Sequence, residues 1–122
     1  LDILENYQGR STIVSQVLHD VDVFGMADTG KGAFINYLKV NNGIIIQTQT
    51  LEYKRRMAET PQEIMELAIA EMRSRYNSHA NEVIVPFDLE IETSAIRFTV
   101  PKGGDRKKLL DLSLKNAIFY KN

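Results

Sequence analysis

The chain has 122 residues, 43% of them hydrophobic, and its 15 Lys and Arg and 16 Asp and Glu give a formal net charge of −1 at pH 7. This length suits one domain with a hydrophobic core, and the sequence shows neither an apolar run of about 20 residues that could cross a membrane nor a basic and apolar leader. With no cysteine and two histidines, disulfides, thiolate chemistry and a zinc site are not expected. We expect a cytoplasmic protein in which any contact with nucleic acid depends on local clusters of charge.

The first residues, LDILENYQ, place apolar groups at positions 1, 3, 4 and 7, a spacing typical of a helix. No capping residue precedes them, so they are interpreted as the tail of a helix that begins upstream, in a larger protein of which this chain is a fragment. Residues 9–19 are then a linker, and the domain itself covers residues 20–122.

Three strands are predicted next, with the sequences VDVFGMA, GAFINYLKV and GIIIQTQTLEY. Asn41, Asn42 and Gly43 separate the last two, and Asn-Gly between alternating strands is a strong hairpin signal. The three strands should form an antiparallel meander.

Residues 25–32, GMADTGKG, differ by one residue from the phosphate-binding P-loop pattern. A P-loop needs a Ser or Thr hydroxyl at its last position and a helix after it, but here the last residue is Gly32 and the pattern that follows is that of a strand. A glycine-rich hairpin turn is therefore predicted.

Thr60, Pro61, Gln62 and Glu63 form a capping box with proline at the first helical position, and the helix should run to about Asn77. Two short strands follow, in NEVIVPFDLE and AIRFTVP, and a second helix runs from about Asp105 to the end. Residues sharing an apolar face of the first helix are Ile64, Met65, Leu67, Ala68, Ile69, Met72 and Tyr76.

The predicted order is three strands, a helix, two strands and a helix. This is the order of an α/β (α+β) fold of the RNase H-like type, with a mixed five-stranded sheet, a three-strand antiparallel meander and two packing helices. The N-terminal helix tail would be added to this core.

Several stretches, DVDVFGMA, GAFINYLKVNNGIIIQT, EVIVPFD and above all VPKGGDRKKLLDLSLKNA, resemble the UvrC family of the bacterial excinuclease ABC system. The similar region lies between the UVR motif and the catalytic nuclease domain of that family. The resemblance implies a non-catalytic RNase H-like module in a protein of nucleotide excision repair and the SOS response. It also implies three partners, namely the rest of the same excinuclease polypeptide, the excinuclease B subunit and DNA, with no cofactor, no membrane and no catalytic residue in this segment.

One alternative to the non-catalytic module is an active nuclease domain. RNase H-type sites hold two Mg²⁺ ions between carboxylates from the first strand, the first helix, the fourth strand and the last helix. Candidates at the last three places are Glu63 or Glu66, Asp88, and Asp105 or Asp111. In the first strand, Asp20, Asp22 and Asp28 lie toward the ends, where they are interpreted as solvated, so no metal ligand is assigned.

Two basic clusters are candidates for contact with the DNA backbone, because helix-start N–H groups, flexible glycines and cations suit phosphate. The alternatives are a plainly solvated helix start, or a protein-interaction module whose basic loop meets acidic side chains of the B subunit or the catalytic domain. The candidate residues are Lys102, Gly103, Gly104, Arg106, Lys107 and Lys108 around the start of the last helix, and Lys54, Arg55 and Arg56 after the third strand. His19 and His79 are interpreted as surface residues.

Overall fold

The computed structural model describes residues 2–4, 12–13, 19–91 and 93–121 of the chain. Within these ranges the backbone forms a β-sheet with a helix on each face. Its elements, in chain order, are β1 (Asp2–Leu4), β2 (Thr12–Ile13), β3 (Val21–Asp28), β4 (Gly32–Asn41), β5 (Ile44–Lys54), α1 (Pro61–Arg75), β6 (Glu82–Ile84), β7 (Arg97–Thr99) and α2 (Gly104–Lys121).

The sheet has the strand order β1-β5-β4-β3-β6-β7, and β2 also pairs with β5. β3, β4 and β5 form an antiparallel meander, whereas β6 runs parallel to β3 and β7 runs parallel to β6. The five strands from β3 to β7, with the two helices, confirm the mixed five-stranded sheet of the RNase H-like prediction.

The predicted N-terminal helix is wrong where the structure describes it. Asp2–Leu4 form a strand along the second half of β5, and Thr12–Ile13, in the predicted linker, form a strand along its first half. The outer edge of β5 offers unpaired N–H and C=O groups, and both short strands satisfy some of them. Apolar residues at positions 1 and 3 fit the alternation of a strand as well as a helical period, so this short pattern does not distinguish the two. Residues 5–11 and 14–18 lie outside the described residues.

Both glycine-containing turns of the meander have the backbone that their sequences predict. Asn42 and Gly43 have φ values of 51° and 76°, the two positive values that a tight hairpin turn requires. In the β3–β4 turn Gly30 has a φ of 83°, and its N–H donates to Asp28 Oδ1 over 2.7 Å. A strand follows this turn, so residues 25–32 form the predicted hairpin and do not form a P-loop.

α1 begins at the predicted capping box. The Glu63 N–H donates to Thr60 Oγ1 over 3.1 Å, and the Thr60 N–H donates to Glu63 Oε1 over 2.9 Å. Leu67, which the helical spacing places on the buried face, is instead 49% exposed, because at about 100° per residue it falls outside the arc that the buried residues cover. The buried residues of α1 are Ile64, Met65, Ala68, Ile69 and Met72.

The alternation along β3 separates two hydrophobic cores. Val21 and Val23 pack with Leu109 and Leu110 of α2, whereas Phe24 packs in the core that includes α1. Successive side chains of a strand point to opposite faces of the sheet. The two helices therefore lie on opposite faces, and the centre of the sheet is buried on both sides.

The middle of α2 touches the backbone of β3 at Gly25. A Cβ atom at this position would lie 2.5 Å from Leu114 N and 2.8 Å from Ser113 Oγ. The Ser113 hydroxyl lies 2.9 Å from the main-chain oxygen of Asn36 and 3.0 Å from its Oδ1, and Asn36 Nδ2 donates to Thr50 Oγ1 over 2.9 Å. The close contact of the α2 backbone with Gly25 and the buried hydrogen bonds of Ser113 thus hold the same part of the helix against the sheet.

The start of α2 is held by Glu82, a buried residue of β6 whose side chain is 9% exposed. Arg106 donates from Nε to Glu82 Oε2 over 2.7 Å and from Nη2 to Oε1 over 3.0 Å. Arg97 Nη2 donates to Oε1 over 3.2 Å, and Thr99 Oγ1 donates to Oε2 over 2.8 Å. Burial alone would raise the pKa of Glu82, but the hydrogen bonds from Arg106 and Thr99 and the charge of Arg106 lower it to about 2.

The close contact at Gly25 predicts that Gly25→Ala destabilises the domain, because the added methyl group would meet helix backbone that cannot rotate away. We expect a loss of about 1–3 kcal/mol in the free energy of unfolding, measured by urea denaturation. Gly103→Ala is the matched control, since a Cβ there meets nothing within 4 Å, and it should leave stability nearly unchanged. Equal effects of the two substitutions would contradict the close-packing argument.

The low pKa of Glu82 predicts that this residue contributes to the loss of folding stability at acidic pH. Since its folded-state pKa is about 2 against an ordinary value of 4.5, the stabilisation is present above pH 4.5 and is lost as the pH falls toward 2. Its upper bound is about 3 kcal/mol. In urea titrations across this range, the stability of Glu82→Gln should fall less than that of the unmutated protein. If the free energy of unfolding fell equally with pH in the two proteins, Glu82 would not be the source of this pH dependence.

Candidate nucleic-acid interface

The loop before α2 and the first turns of the helix carry two exposed lysines, Lys102 and Lys108. Lys102, Gly103 and Gly104 are exposed, as is Lys108 in the first turns of the helix. Gly104 has a φ of 75°, a value that favours glycine at the point where the chain turns into the helix. Neither Lys102 nor Lys108 forms an ion pair within the described part of the chain.

The other two cations of this cluster have partners. Arg106 is bound to Glu82, and this contact raises the pKa of the arginine further. Lys107 Nζ lies 2.5 Å from Asp111 Oδ1, one helical turn away on an exposed surface. The sequence places all four cations together, but only two of them are unpaired in the described structure, so the local excess of positive charge is smaller than the sequence suggests.

In the second basic cluster, formed by Lys54, Arg55 and Arg56, the side chain of Arg55 is bound to other parts of the protein. Its Nη2 lies 3.0 Å from Asp28 Oδ2, its Nη1 donates to the Gly30 carbonyl over 2.9 Å, and its Nε donates to the Glu59 carbonyl over 2.9 Å. The hydrogen bond from Gly30 N–H, followed by the one from Arg55, lowers the pKa of Asp28. Arg55 thereby joins the β3–β4 turn to the loop after β5, and the neighbouring Lys54 and Arg56 remain exposed.

The Glu59 side chain organises the same loop. It accepts hydrogen bonds from the Tyr53 hydroxyl and from the Met57 N–H, the latter over 2.8 Å. The hydrogen bond from Tyr53 and those from the backbone lower the pKa of Glu59 to about 2. Exposed Arg56 therefore lies on a loop that these hydrogen bonds order, next to Lys54 at the end of β5.

The two basic clusters lie at opposite ends of the sheet. Lys54 pairs with Gly32, beside the turn where β3 ends. Arg106 contacts Glu82, which pairs with Val21, the first residue of β3. β3 has 8 residues, so at about 3.3 Å per residue the clusters are roughly 23 Å apart along the sheet. They do not form one continuous surface.

Arg97 is a cation that the sequence analysis did not select. Its side chain is 72% exposed and lies beside Arg106 on the shared partner Glu82. In the sequence, Arg97 is a single basic residue within a short β-rich run. Edge strands ordinarily contain such residues, so this pattern does not mark Arg97 as a binding residue. Only the pairing of β6 with β7 brings Arg97 next to Glu82.

The candidate carboxylates for a two-metal site are only partly brought together. Glu63, Glu66 and Asp88 line one groove of about 590 Å³ at the start of α1. Asp105 and Asp111 belong to α2, which packs on the opposite face of the sheet. Among the residues that the structure describes, no group of three or more His, Cys, Asp and Glu is arranged to hold a metal ion.

Asp22 of β3 is fully buried, although the sequence analysis interpreted it as a solvated strand end. Its carboxylate accepts hydrogen bonds from Tyr37 Oη over 2.8 Å, from Arg73 Nη1 over 2.6 Å and from Ser78 Oγ over 2.6 Å. Burial, and then the adjacent Asp22, raise the pKa of the Tyr37 hydroxyl. Both oxygens of the buried Asp22 carboxylate in β3 are therefore engaged by protein groups.

Neither helix in the described ranges is both long enough and apolar enough to span a membrane.

The comparisons with known proteins agree on one family. The model of the UvrC Ribonuclease H-like domain matches residues 20–120. A UvrABC system protein C from Bacteroides fragilis is 52% identical over 120 residues, which are 98% of this chain and 20% of that protein. Corresponding proteins from Bacteroides thetaiotaomicron and Flavobacterium psychrophilum are 50% and 46% identical, over 98% and 99% of this chain and 20% of each relative.

No solved structure matches the chain. The chain spans about a fifth of the length of these curated relatives. The family model nevertheless covers most of the described sheet and both helices. The chain therefore belongs to the family of UvrC ribonuclease H-like domains.

Proposed function

We propose that this chain is a non-catalytic RNase H-like domain of a UvrC excinuclease, and that it contributes to nucleotide excision repair as a scaffold beside the catalytic nuclease. The domain contacts the DNA backbone through the loop that opens α2. The observation that carries the DNA contact is the pair of exposed lysines without an ion-pair partner in the described structure, Lys102 and Lys108, at the start of that helix. The parent protein is cytoplasmic, acts in the SOS response, and has the B subunit and the rest of its own chain as partners.

The chemistry of the loop suits a phosphodiester. The first N–H groups of a helix have no partner within the helix and point along a positive dipole. Gly103 and Gly104 carry no side chains that would keep a phosphate from these groups, and a Cβ at either would meet nothing within 4 Å. Contacts of this kind fix position without reading sequence, and they weaken with salt.

The occupied carboxylates support a non-catalytic role. Asp22 is bonded to Arg73, Asp28 to Arg55, and Glu63 to the capping box. A carboxylate that already accepts short charge-assisted hydrogen bonds would have to give them up to bind Mg²⁺. The domain thus keeps an RNase H-like sheet while its strand carboxylates serve packing.

A protein-docking function is favoured by a different observation. Leu114 and Ile118 lie one turn apart on the outer face of α2 and are 37% and 40% exposed. Leu114 also lines a groove of about 210 Å³ with Pro86 and Pro101, and the ion pair of Lys107 with Asp111 lies on the same groove. Exposed apolar surface of this kind is typical of interaction sites. The B subunit or the catalytic domain of the parent chain is the expected partner.

The DNA contact is tested with Lys102 and Lys108 both changed to Glu. Fluorescence anisotropy with a labelled duplex, at low and moderate salt, should show affinity reduced at least about tenfold and a shallower dependence on salt. The matched control changes Lys54 and Arg56 to Glu at the far end of the sheet and reverses the same number of charges. If the unmutated domain fails to bind at either salt concentration, or both double variants bind equally, the proposed surface is wrong.

The non-catalytic role predicts that the purified domain does not cut plasmid or duplex DNA in the presence of Mg²⁺ or Mn²⁺. Cleavage that is abolished by Asp88→Asn would instead establish a metal site in the groove that Asp88 shares with Glu63 and Glu66. Cleavage that survives this substitution would point to a contaminating nuclease, which a second purification step would remove.

A further inference from the structure

A polar groove of about 980 Å³ lies at the end of the sheet where β3 and β6 begin. Arg97 and Arg106 line it, together with His19, His79, Asn42 and Asn81. These are hydrogen-bond donors or potential donors from five separate segments of the chain, and the carboxylates of Asp20 and Glu82 also line the groove. The groove adjoins the proposed DNA loop, because Arg106 belongs to the first turns of α2.

The two arginines are held close together by one buried carboxylate. Arg97 Nη2 and Arg106 Nη2 both donate to Glu82 Oε1, over 3.2 Å and 3.0 Å. Two nitrogens bonded to one oxygen are at most about 6 Å apart, a spacing that a single phosphate group can bridge with two of its oxygens. The buried carboxylate thus orients both guanidinium groups before any ligand arrives.

Neither arginine is used up by this contact. A guanidinium group has five N–H donors, and Arg97 uses one nitrogen for Glu82 whereas Arg106 uses two. Arg97, Arg106 and Glu82 together carry a formal charge of +1, with Asp20 as a second carboxylate in the lining of the groove, and the Arg97 side chain is 72% exposed. If the arginines served only to neutralise Glu82, the bidentate contact of Arg106 would suffice.

We propose that Arg97 and Arg106, oriented by Glu82, form a phosphate-binding subsite in this groove, which takes a phosphodiester of the DNA backbone. Where the ligand is DNA, the inference rests on the proposed function and extends the contact from the α2 loop to the edge strand β7. Planar guanidinium forks match phosphate oxygens and are pre-ordered here, so little side-chain freedom is lost on binding.

The test uses Arg97→Gln, because Arg97 is exposed and makes a single hydrogen bond to Glu82, so the domain should melt like the unmutated protein. Affinity for a labelled duplex should fall roughly tenfold. The slope of log K against log salt concentration should become shallower by the amount that corresponds to the loss of about one phosphate contact. Arg75→Gln is the matched control, since Arg75 is also an exposed arginine paired with a glutamate, Glu71, on α1. It should bind DNA like the unmutated protein.

A second measurement separates this inference from the proposed function. Inorganic phosphate is titrated into the unmutated domain, and the side-chain Nε–H signals of Arg97 and Arg106 are followed by NMR. Saturable shifts of both signals support the subsite even if duplex DNA does not bind, in which case free phosphate is the ligand and the proposed DNA function fails. If Arg97→Gln binds DNA normally while the Lys102 and Lys108 double variant does not, the proposed contact of the subsite with DNA is refuted and the loop contact stands. The absence of phosphate shifts together with normal DNA binding by Arg97→Gln also overturns the subsite.

Discussion

The position of α2 depends on the absence of a side chain at residue 25. With only hydrogen at this position, the helix backbone lies against β3, and Ser113 comes within hydrogen-bonding distance of Asn36. An α-helix of 18 residues is a rod of about 27 Å, so fixing its middle also fixes its ends. One end carries Arg106 to Glu82, and the other brings Tyr120 against Phe34, with ring centroids 6.4 Å apart. The location of the basic loop is thus a consequence of packing at Gly25.

Two buried ion pairs also specify where the helices pack on the sheet. Asp22 ties the start of β3 to Arg73 near the end of α1, and Glu82 ties β6 to Arg106 at the start of α2. Buried ion pairs contribute little net stability, because desolvation of the charges offsets their attraction, but they strongly disfavour arrangements that leave one charge alone. Each pair therefore specifies where one helix lies on its face of the sheet. The first of these pairs also engages Asp22, the buried carboxylate of β3.

Local signals in the sequence were sufficient for most of the fold. The hairpin at Asn42 and Gly43, the capping box at Thr60 and the alternation of β3 are each set by neighbours within a few residues, so each could be predicted. The strand at Asp2–Leu4 could not, because its structure depends on the free edge of β5, about 50 residues away in the chain. The partners of the site residues were likewise beyond the sequence, since only the tertiary structure places Asp28 beside Arg55 and Glu82 beside Arg106. Charge clusters indicate which residues lie close together along the chain, but the net charge of a surface depends on contacts between distant segments.

The two ends of the sheet differ in the charge that DNA would meet. Near Arg56, the groove at the start of α1 carries Glu63, Glu66 and Asp88, and these carboxylates would repel a phosphate within about 10 Å. At the start of α2, Glu82 is paired with two arginines and Asp111 with Lys107, and Asp105 is the acidic residue of the first helical turn. The exposed Leu114 lies about 9 Å further along the helix from Lys108 at 1.5 Å per residue. The groove that Leu114 lines also includes Pro101 and Lys107, the neighbours of Lys102 and Lys108, so DNA at the start of α2 and a protein partner on its second half would compete for overlapping surface.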